Sequence, residues 1–332
     1  MKDIFFERNF YSDFEQSPLV LVDVGASGGL QPKWSRAARF LRVVEFEPDK
    51  DEFQRLVATG AGNMRRVLNT ALYKRQGMLP FYRTRDRQWS SILKPNHRVL
   101  DKFPHSEGHD IEQVGEIEVS PLDQQLTQAD IQDVDVLKLD TQGSELFILE
   151  GAQQTLSRVF TVEVEVEFVP LYEDQPLFSD VEAFLKRFGF QLFDLNSRYW
   201  KRKAGKDCGN PKGQLVCADA LFLRTSESFL SMLQAGGRAN SRQKLLRALS
   251  LCAFYGYIDY ALELLEGSKD LLSKEQVTLL GRILKNDIPI STRIPNMRGR
   301  WRAAEFFYRL YKLFRPTRGI YSSGGRGLGN VD

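Results

Sequence analysis

The sequence predicts a doubly wound α/β fold, a mostly parallel sheet with helices on both faces, and three observations carry that expectation. Over the first two thirds of the 332 residues, short apolar runs alternate with stretches of helical periodicity, the pattern of βα units around a parallel sheet. A glycine-rich turn, Asp23-Val-Gly25-Ala-Ser-Gly28-Gly29, follows directly on the first buried apolar run. The second run ends on an acid and a proline, Glu47-Pro48, at the strand end where open α/β sheets bind ligands. A hydrophobic fraction of 42% and a charged fraction of 27% exclude a disordered, collagen-like or coiled-coil chain.

Six apolar runs read as main strands: 18–24, 41–47, 65–72, 134–140, 160–168 and 190–195, with a last strand at 215–224. Helical stretches at 49–58, 143–157 and 179–188 separate most of them, with Ser144 and Ser179 near their starts. Between the third and fourth strands lies an excursion, 77–120, that holds the strand-like GMLPFYRT and EIEVS; insertions of this length more often carry substrate contacts than core. After Thr225 only helical spacing remains, in QKLLRALSLCAFYGYIDYALELLE and EQVTLLGRIL, one helix-turn-helix unit without a second copy. The expected organisation is a domain at 1–225, a small helical region at 226–297, and a basic amphipathic helix with a Gly-rich tail at 298–332.

The N-terminus has acids among its aromatics and no apolar h-region, and no later run approaches the roughly 18 residues of a membrane span, so a cytoplasmic protein is expected. Cys208, Cys217 and Cys252 show no C-x-x-C spacing, and His97, His105 and His109 do not match a closed zinc site, so no disulfide framework and no metal are expected. Of the net charge of +3, residues 298–332 supply +6 from eight Lys or Arg and two acids, which leaves −3 elsewhere. The basic balance is local, and nucleic acid is not an expected partner of the main domain.

Glycines in a turn after a strand permit tight curvature and close approach of a ligand, and a following helix start offers unpaired N–H groups. A carboxylate at the end of the next strand accepts both ribose hydroxyls of a nucleoside. Glu45 and Glu47 both qualify, and Glu47 is preferred because it stands at the rim, about 20 residues after the turn. The spacing G-x-x-G-G is not the G-x-G-x-x-G of dinucleotide sites, and Asp23 inside the turn repels a pyrophosphate but suits an ammonium and a sulfonium. These residues favour S-adenosylmethionine over a nicotinamide cofactor.

Taken together, VDVGASGG, EFEPD, NTAL, SSIL at 90–93, LKLDTQGSELFILEGA and ADALF resemble, in matching order over residues 18–224, the FkbM family of methyltransferases. The resemblance implies a class I methyltransferase fold with a seven-stranded sheet, S-adenosylmethionine over the C-terminal strand ends, and O-methyl transfer, commonly to sugar hydroxyls of glycans or glycosylated natural products. It assigns Asp23, Gly25, Ala26, Ser27 and Gly28 to the cofactor turn, Glu47 to the ribose, and Asn69 and Ala71 of NTAL to further cofactor contacts. Asp140, Gly143 and Glu145 match the family's D-x-E-G-x-E segment, whose middle acid is Gln142 here. Ser90 and Ser91 match the family's serine pair and, with His97 and Glu145, are the expected substrate contacts.

A sugar hydroxyl is weakly acidic, so a carboxylate or imidazole must take its proton as the bond to carbon forms. Asp140 is the first candidate, with a helix N-cap or a simple cofactor contact as the alternative. Glu163, Glu165 and Glu167 share one face of an internal strand, and buried carboxylates need partners. Pairing with Arg or Lys suits Glu163, while Glu165 and Glu167, nearer the active edge, are catalytic candidates. The three histidines read as loop residues of which one could act as base, and Trp89, Phe81 and Tyr82 could stack on a sugar or pack under the loop.

Three rivals stand beside this reading: a nicotinamide-dependent enzyme on a nucleotide sugar, a nucleic-acid methyltransferase, and a non-catalytic module that keeps the cofactor fold. In the tail RGRWRAAEFFYRLYKLFRPTR, Arg302, Glu305, Arg309 and Lys312 form a polar stripe, with Trp301, Ala304, Phe307, Leu310, Tyr311 and Phe314 opposite. Such a helix either docks on the main domain or lies on the inner face of an anionic membrane, which would suit a lipid-linked glycan acceptor.

Overall fold

The computed structural model describes residues 4, 7–59, 64–205, 213–286, 297–314 and 321–323. Its strands are β1 (Leu19–Val24), β2 (Leu41–Phe46), β3 (Arg65–Leu68), β4 (Ala71–Leu72), β5 (Gly77–Thr84), β6 (Ile111–Ser120), β7 (Val136–Leu139), β8 (Thr161–Glu167), β9 (Phe190–Trp200), β10 (Gln214–Arg224) and β11 (Tyr321–Ser323). The main sheet runs β11-β9-β10-β8-β7-β1-β2-β3, and β4-β6-β5 form a second, smaller sheet. From β3 to β8 all pairings are parallel, whereas β10 runs against both β8 and β9. The seven expected strands therefore stand together in a mostly parallel sheet, and β11 adds an eighth at the edge.

Helices cover both faces. They are α1 (Tyr11–Gln16), α2 (Lys50–Thr59), α3 (His97–Leu100), α4 (Leu122–Gln128), α5 (Glu145–Glu150), α6 (Gln153–Leu156), α7 (Phe178–Lys186), α8 (Ser226–Ala235), α9 (Arg238–Phe254), α10 (Ile258–Gly267) and α11 (Lys274–Asn286), followed by a last described helix, Arg300–Phe314. Alternation in β1 sends Val20, Val22 and Val24 into one core with Leu126, Ile148, Leu149 and Phe184. Leu19 and Leu21 enter the opposite core with Trp34, Phe40, Leu249 and Phe254, so the helices after Thr225 form a layer on that face. Lys244 and Arg247 of α9 fix that layer to the entry of β7 by binding Asp133 and Asp135, with Lys244 Nζ 2.8 Å from Asp135 Oδ1. No helix among the described residues is long and apolar enough to cross a membrane.

Two elements differ from the sequence expectation. The run 65–72 is not one strand but two, because Asn69 leaves the sheet and its amide donates to the carbonyls of Glu47 (2.8 Å) and Pro48 (3.1 Å); β4 then pairs with β6 instead. The helix at 143–157 is broken at Gly151, which lies so close to the backbone of Tyr73 that a Cβ would stand 2.5 Å from its carbonyl oxygen. Cys208 and the tail beyond Phe314, apart from β11, lie outside the described residues.

Candidate functional site

The parallel strands β1, β2 and β7 end on one side, where Gly25 turns the chain at φ +78°. A Cβ there would stand 1.9 Å from the carbonyl oxygen of Asp140, so only glycine lets β1 and β7 approach this closely at their ends. The turn does not feed an α-helix. It leads through Pro32 into two short 3-10 turns, Pro32–Arg36 and Ala38–Phe40, whose Trp34 and Phe40 are core residues, as is Ala37 between them. The amides of Gly25 and Ala26 donate to Phe46 O, and that of Gly28 to Glu52 Oε1 at 2.8 Å. The expectation of a row of unpaired N–H groups is corrected accordingly: the turn offers a ligand shape more than free donors.

Above these strand ends lies a cavity of about 580 Å³, within the size range of small-molecule sites. Gly25, Ser27, Glu47, Ala71, Ser90, Ser91 and Asp140 all line it. The excursion forms its far wall, since Phe81 of β5 and the segment Gln88–Ile92 complete the lining. Ser91 Oγ donates to Gln142 O at 2.8 Å, and Ser90 Oγ accepts from Thr84 N at 3.1 Å, so both serine hydroxyls help hold this wall in place.

Glu47 sits at the rim with Oε1 accepting the Asp49 amide at 2.8 Å. Burial pushes its carboxyl up to about 7, against that hydrogen bond and helped by the charges of Asp49, Glu52 and Asp23. Glu45, the alternative, is fully committed inside the sheet to Arg65, with Oε1 2.9 Å from Nη2. Asp140 ends β7 with its side chain 36% exposed; Lys138 Nζ lies 4.0 Å from Oδ2, and Gln142 Nε2 3.3 Å from Oδ1.

Several expected site residues lie outside the lining, and each has a physical reason. Asp23 is corrected from a contact for the donor's charges to a core ion pair: it is buried, and Lys138 of the neighbouring strand donates to Oδ1 at 2.8 Å. The sheet register explains it, since Lys138 stands directly between Asp23 of β1 and Glu163 of β8. Glu145 is buried beneath the loop it closes, accepting from Thr141 N (2.6 Å), Thr141 Oγ1 (3.1 Å) and Gly143 N (3.3 Å). Burial pushes its carboxyl up to about 7. His97 pairs on the surface with Asp101 at 3.2 Å. Ala26 is core, Gly28 faces α2, and Asn69 reaches the rim only through the backbone of Glu47 and Pro48.

Two acids of β8 have side-chain partners, and not only Glu163, which binds Lys33 and Tyr255. Glu165 accepts from Arg198 Nη1 at 2.5 Å and from Gln142 Nε2 at 3.1 Å, and the same guanidinium holds Asp219 at 2.7 Å. Burial first, and then the charge of neighbouring acids, raises Glu165 and Glu167 well above the ordinary carboxylate range. Gln142 is the centre of this network. Its backbone takes the left-handed conformation, φ +60°, and its Oε1 accepts from Tyr172 Oη at 3.2 Å. An acid there would add a third carboxylate beside Asp140 and Glu165, whereas an amide donates to both. Nothing in the spacing of Arg198 and Tyr172 marked them in the sequence, whereas Lys138, a charge between leucines of a buried strand, was such a signal.

His109 is no loop residue: it is buried and stacks on Trp89 with ring centroids 4.3 Å apart. Burial lowers it to about 4, so the imidazole is neutral at physiological pH and packs as a ring. The Tyr172 hydroxyl shares its one proton between Gln142 Oε1 and the nearer Trp89 O at 2.9 Å, and Gly108 has no room for a Cβ beside the indole. Trp89 is thereby a fixed aromatic wall of the cavity.

S-adenosylmethionine fits these residues: a glycine cradle, the Glu47 carboxylate in the wall, and an apolar floor of Val24, Leu72 and Ile148, while the two arginines of the lining are paired, Arg55 with Glu52 and Arg87 with Asp51. A family model described as a methyltransferase FkbM domain matches residues 23–192. A 2-O-methyltransferase NoeI of Sinorhizobium fredii is 26% identical over 183 residues, 51% of this chain and 71% of that protein. A crystal structure of an FkbM methyltransferase from Methylobacillus flagellatus aligns with a TM-score of 0.36 at 17% identity, over 62% of this chain and 43% of that one. The magnesium protoporphyrin IX methyltransferase of Synechocystis, solved with its methyl donor bound, aligns with a TM-score of 0.31 at 11% identity, over 65% of this chain and 74% of that one.

Proposed function

From the premise that this chain belongs to the FkbM family of S-adenosylmethionine-dependent methyltransferases, we propose that it methylates a hydroxyl oxygen of a sugar in a glycan or glycoconjugate. The observation that carries the reading is the position of Asp140: a partly exposed carboxylate at the end of β7, in the wall of the same cavity as Gly25 and Glu47. When bound, S-adenosylmethionine supplies an electrophilic methyl group whose transfer is an in-line displacement. Glu47 accepts the ribose hydroxyls, and Gly25 and Ala71 admit the nucleoside. Asp140 takes the proton of the acceptor hydroxyl as its oxygen bonds to carbon, a contribution of about 10²- to 10⁴-fold. Gln142 and Lys138 orient Asp140, since each offers a donor or a charge to its carboxylate.

A sugar acceptor is supported by the wall opposite. Trp89, held by His109 and Tyr172, presents an apolar ring of the kind that stacks on sugar rings, close to polar groups at Asp140 and Gln142. The 2-O-methyltransferase relative agrees with transfer to oxygen. The nicotinamide-dependent rival is set aside by the family. The test is Asp140→Asn: methyl transfer to a sugar acceptor should fall at least about 100-fold while S-adenosylhomocysteine affinity stays within about threefold. Equal loss of both would make Asp140 a cofactor or folding residue instead.

A further inference from the structure

The helix Arg300–Phe314 turns aromatic rings to solvent. Trp301 is 81% exposed, Phe307 68%, Phe306 58% and Tyr311 57%, and among the described residues the strongly exposed aromatic rings all sit on this helix. Among the described contacts, Glu305 pairs with Arg309 at 2.6 Å, and Phe306 packs on Phe307. Residues 298–318 hold seven Lys or Arg and one acid, while the chain outside 298–332 carries −3, so the cationic character belongs to this element and not to the protein at large. Arg302, Glu305, Arg309 and Lys312 share one stripe; Trp301 borders it, and Phe306, Phe307, Leu310 and Tyr311 occupy the rest of the circumference. Trp and Tyr rings beside arginines suit a helix at headgroup depth, with rings at the acyl boundary and guanidinium groups on phosphates.

The helix is also tied to the catalytic end of the sheet. β11 follows after residues 315–320 and pairs with Arg198, Tyr199 and Trp200. These residues end β9 on the same side as Asp140 ends β7, and Arg198 itself holds Glu165. The chain from Phe314 to Tyr321 spans at most ~25 Å when fully extended, so the C-terminal end of the helix stays within that distance of β11.

We propose that the helix Arg300–Phe314 docks the protein on an anionic lipid surface, which brings the cavity to an acceptor sugar carried on a lipid; the nature of that acceptor rests on the hydroxyl-methylating reading above. The test is co-sedimentation of the full chain with vesicles of phosphatidylcholine alone and of phosphatidylcholine with phosphatidylglycerol, at low and high salt. The wild type should partition at least about tenfold more strongly into the anionic vesicles, and salt should weaken this. Arg302→Glu with Arg309→Glu, and separately Trp301→Ala with Phe307→Ala, should each remove about tenfold or more while S-adenosylhomocysteine binding is retained, because all four side chains are exposed. Equal partition into neutral and anionic vesicles, no partition at all, or unchanged partition of both variants overturns the proposal. Vesicle docking without methyl transfer to any sugar would retain the docking and reject the acceptor; methyl transfer without docking would do the reverse.

Discussion

On the β1–β2 side of β7, Glu47 stands in the cavity wall with only the Asp49 amide donating to it among the described hydrogen bonds. On the β8–β10 side, Glu165 and Asp219 share the guanidinium of Arg198, and Gln142 adds a donor to Glu165. Both sides bury carboxylates, and burial raises Glu47 and Glu165 alike. The difference is where the missing hydrogen bonds come from. Glu47 keeps acceptor capacity for the ribose that we propose it binds, whereas Glu165 and Asp219 are satisfied by Arg198, Gln142 and Asn196. A buried acid is therefore a binding group only where the fold withholds its partner, and Asp140 stands at the boundary between the two sides.

The largest expected effect separates that boundary residue from both sides: Asp140→Asn should lower methyl transfer about 10²- to 10⁴-fold with little change in cofactor affinity, read by single-turnover transfer and calorimetry. Gly25→Ala should destabilise the fold by about 3 kcal/mol or more in denaturant unfolding, since the Cβ meets Asp140 O and φ is positive. A near-wild-type midpoint would show that the β1–β7 approach relaxes. Arg198→Met strips the closed side of its counter-charge. It should cost about 2–3 kcal/mol of stability, less than a fully buried pair because the guanidinium side chain is 34% exposed, and leave cofactor affinity unchanged.

Glu47→Gln should weaken S-adenosylhomocysteine binding by about 1–3 kcal/mol, the loss of a charge-assisted hydrogen bond. The smallest effect is its pH dependence. Because Glu47 is raised to about 7, it is mostly protonated at pH 6 and ionised at pH 8, so wild-type affinity should rise by up to about tenfold over that window and the Gln variant should not show the rise. The stability sign is the opposite. The unfolded carboxyl ionises near its ordinary value of 4.5, below the folded one, so Glu47 disfavours the unliganded fold increasingly from about 4.5 to about 7, and Glu47→Gln should stabilise it at pH 8.

How much of this was legible in the sequence follows from which interactions are local. The glycine turn, Glu47 before Pro48, and Asp140 at a strand end are set by short-range pattern, and the cavity contains all three. The strand break at Asn69 was not legible, because what draws it out of the sheet is the backbone of residues 22 and 21 positions away. Asp23 went astray for a related reason: its neighbour Lys138 is 115 residues off in sequence and adjacent only by register. The stack of Trp89 on His109 was not legible either, since it exists only once the excursion folds back on itself.

The most direct measurement is a crystal structure of the protein with S-adenosylhomocysteine. The ligand should lie in the cavity between Gly25 and Trp89, with both ribose hydroxyls about 2.7–3.0 Å from the carboxylate of Glu47 and the sulfur directed toward Asp140. A ligand seated elsewhere, or a ribose held by another residue while Glu47 keeps only the Asp49 amide, would contradict it.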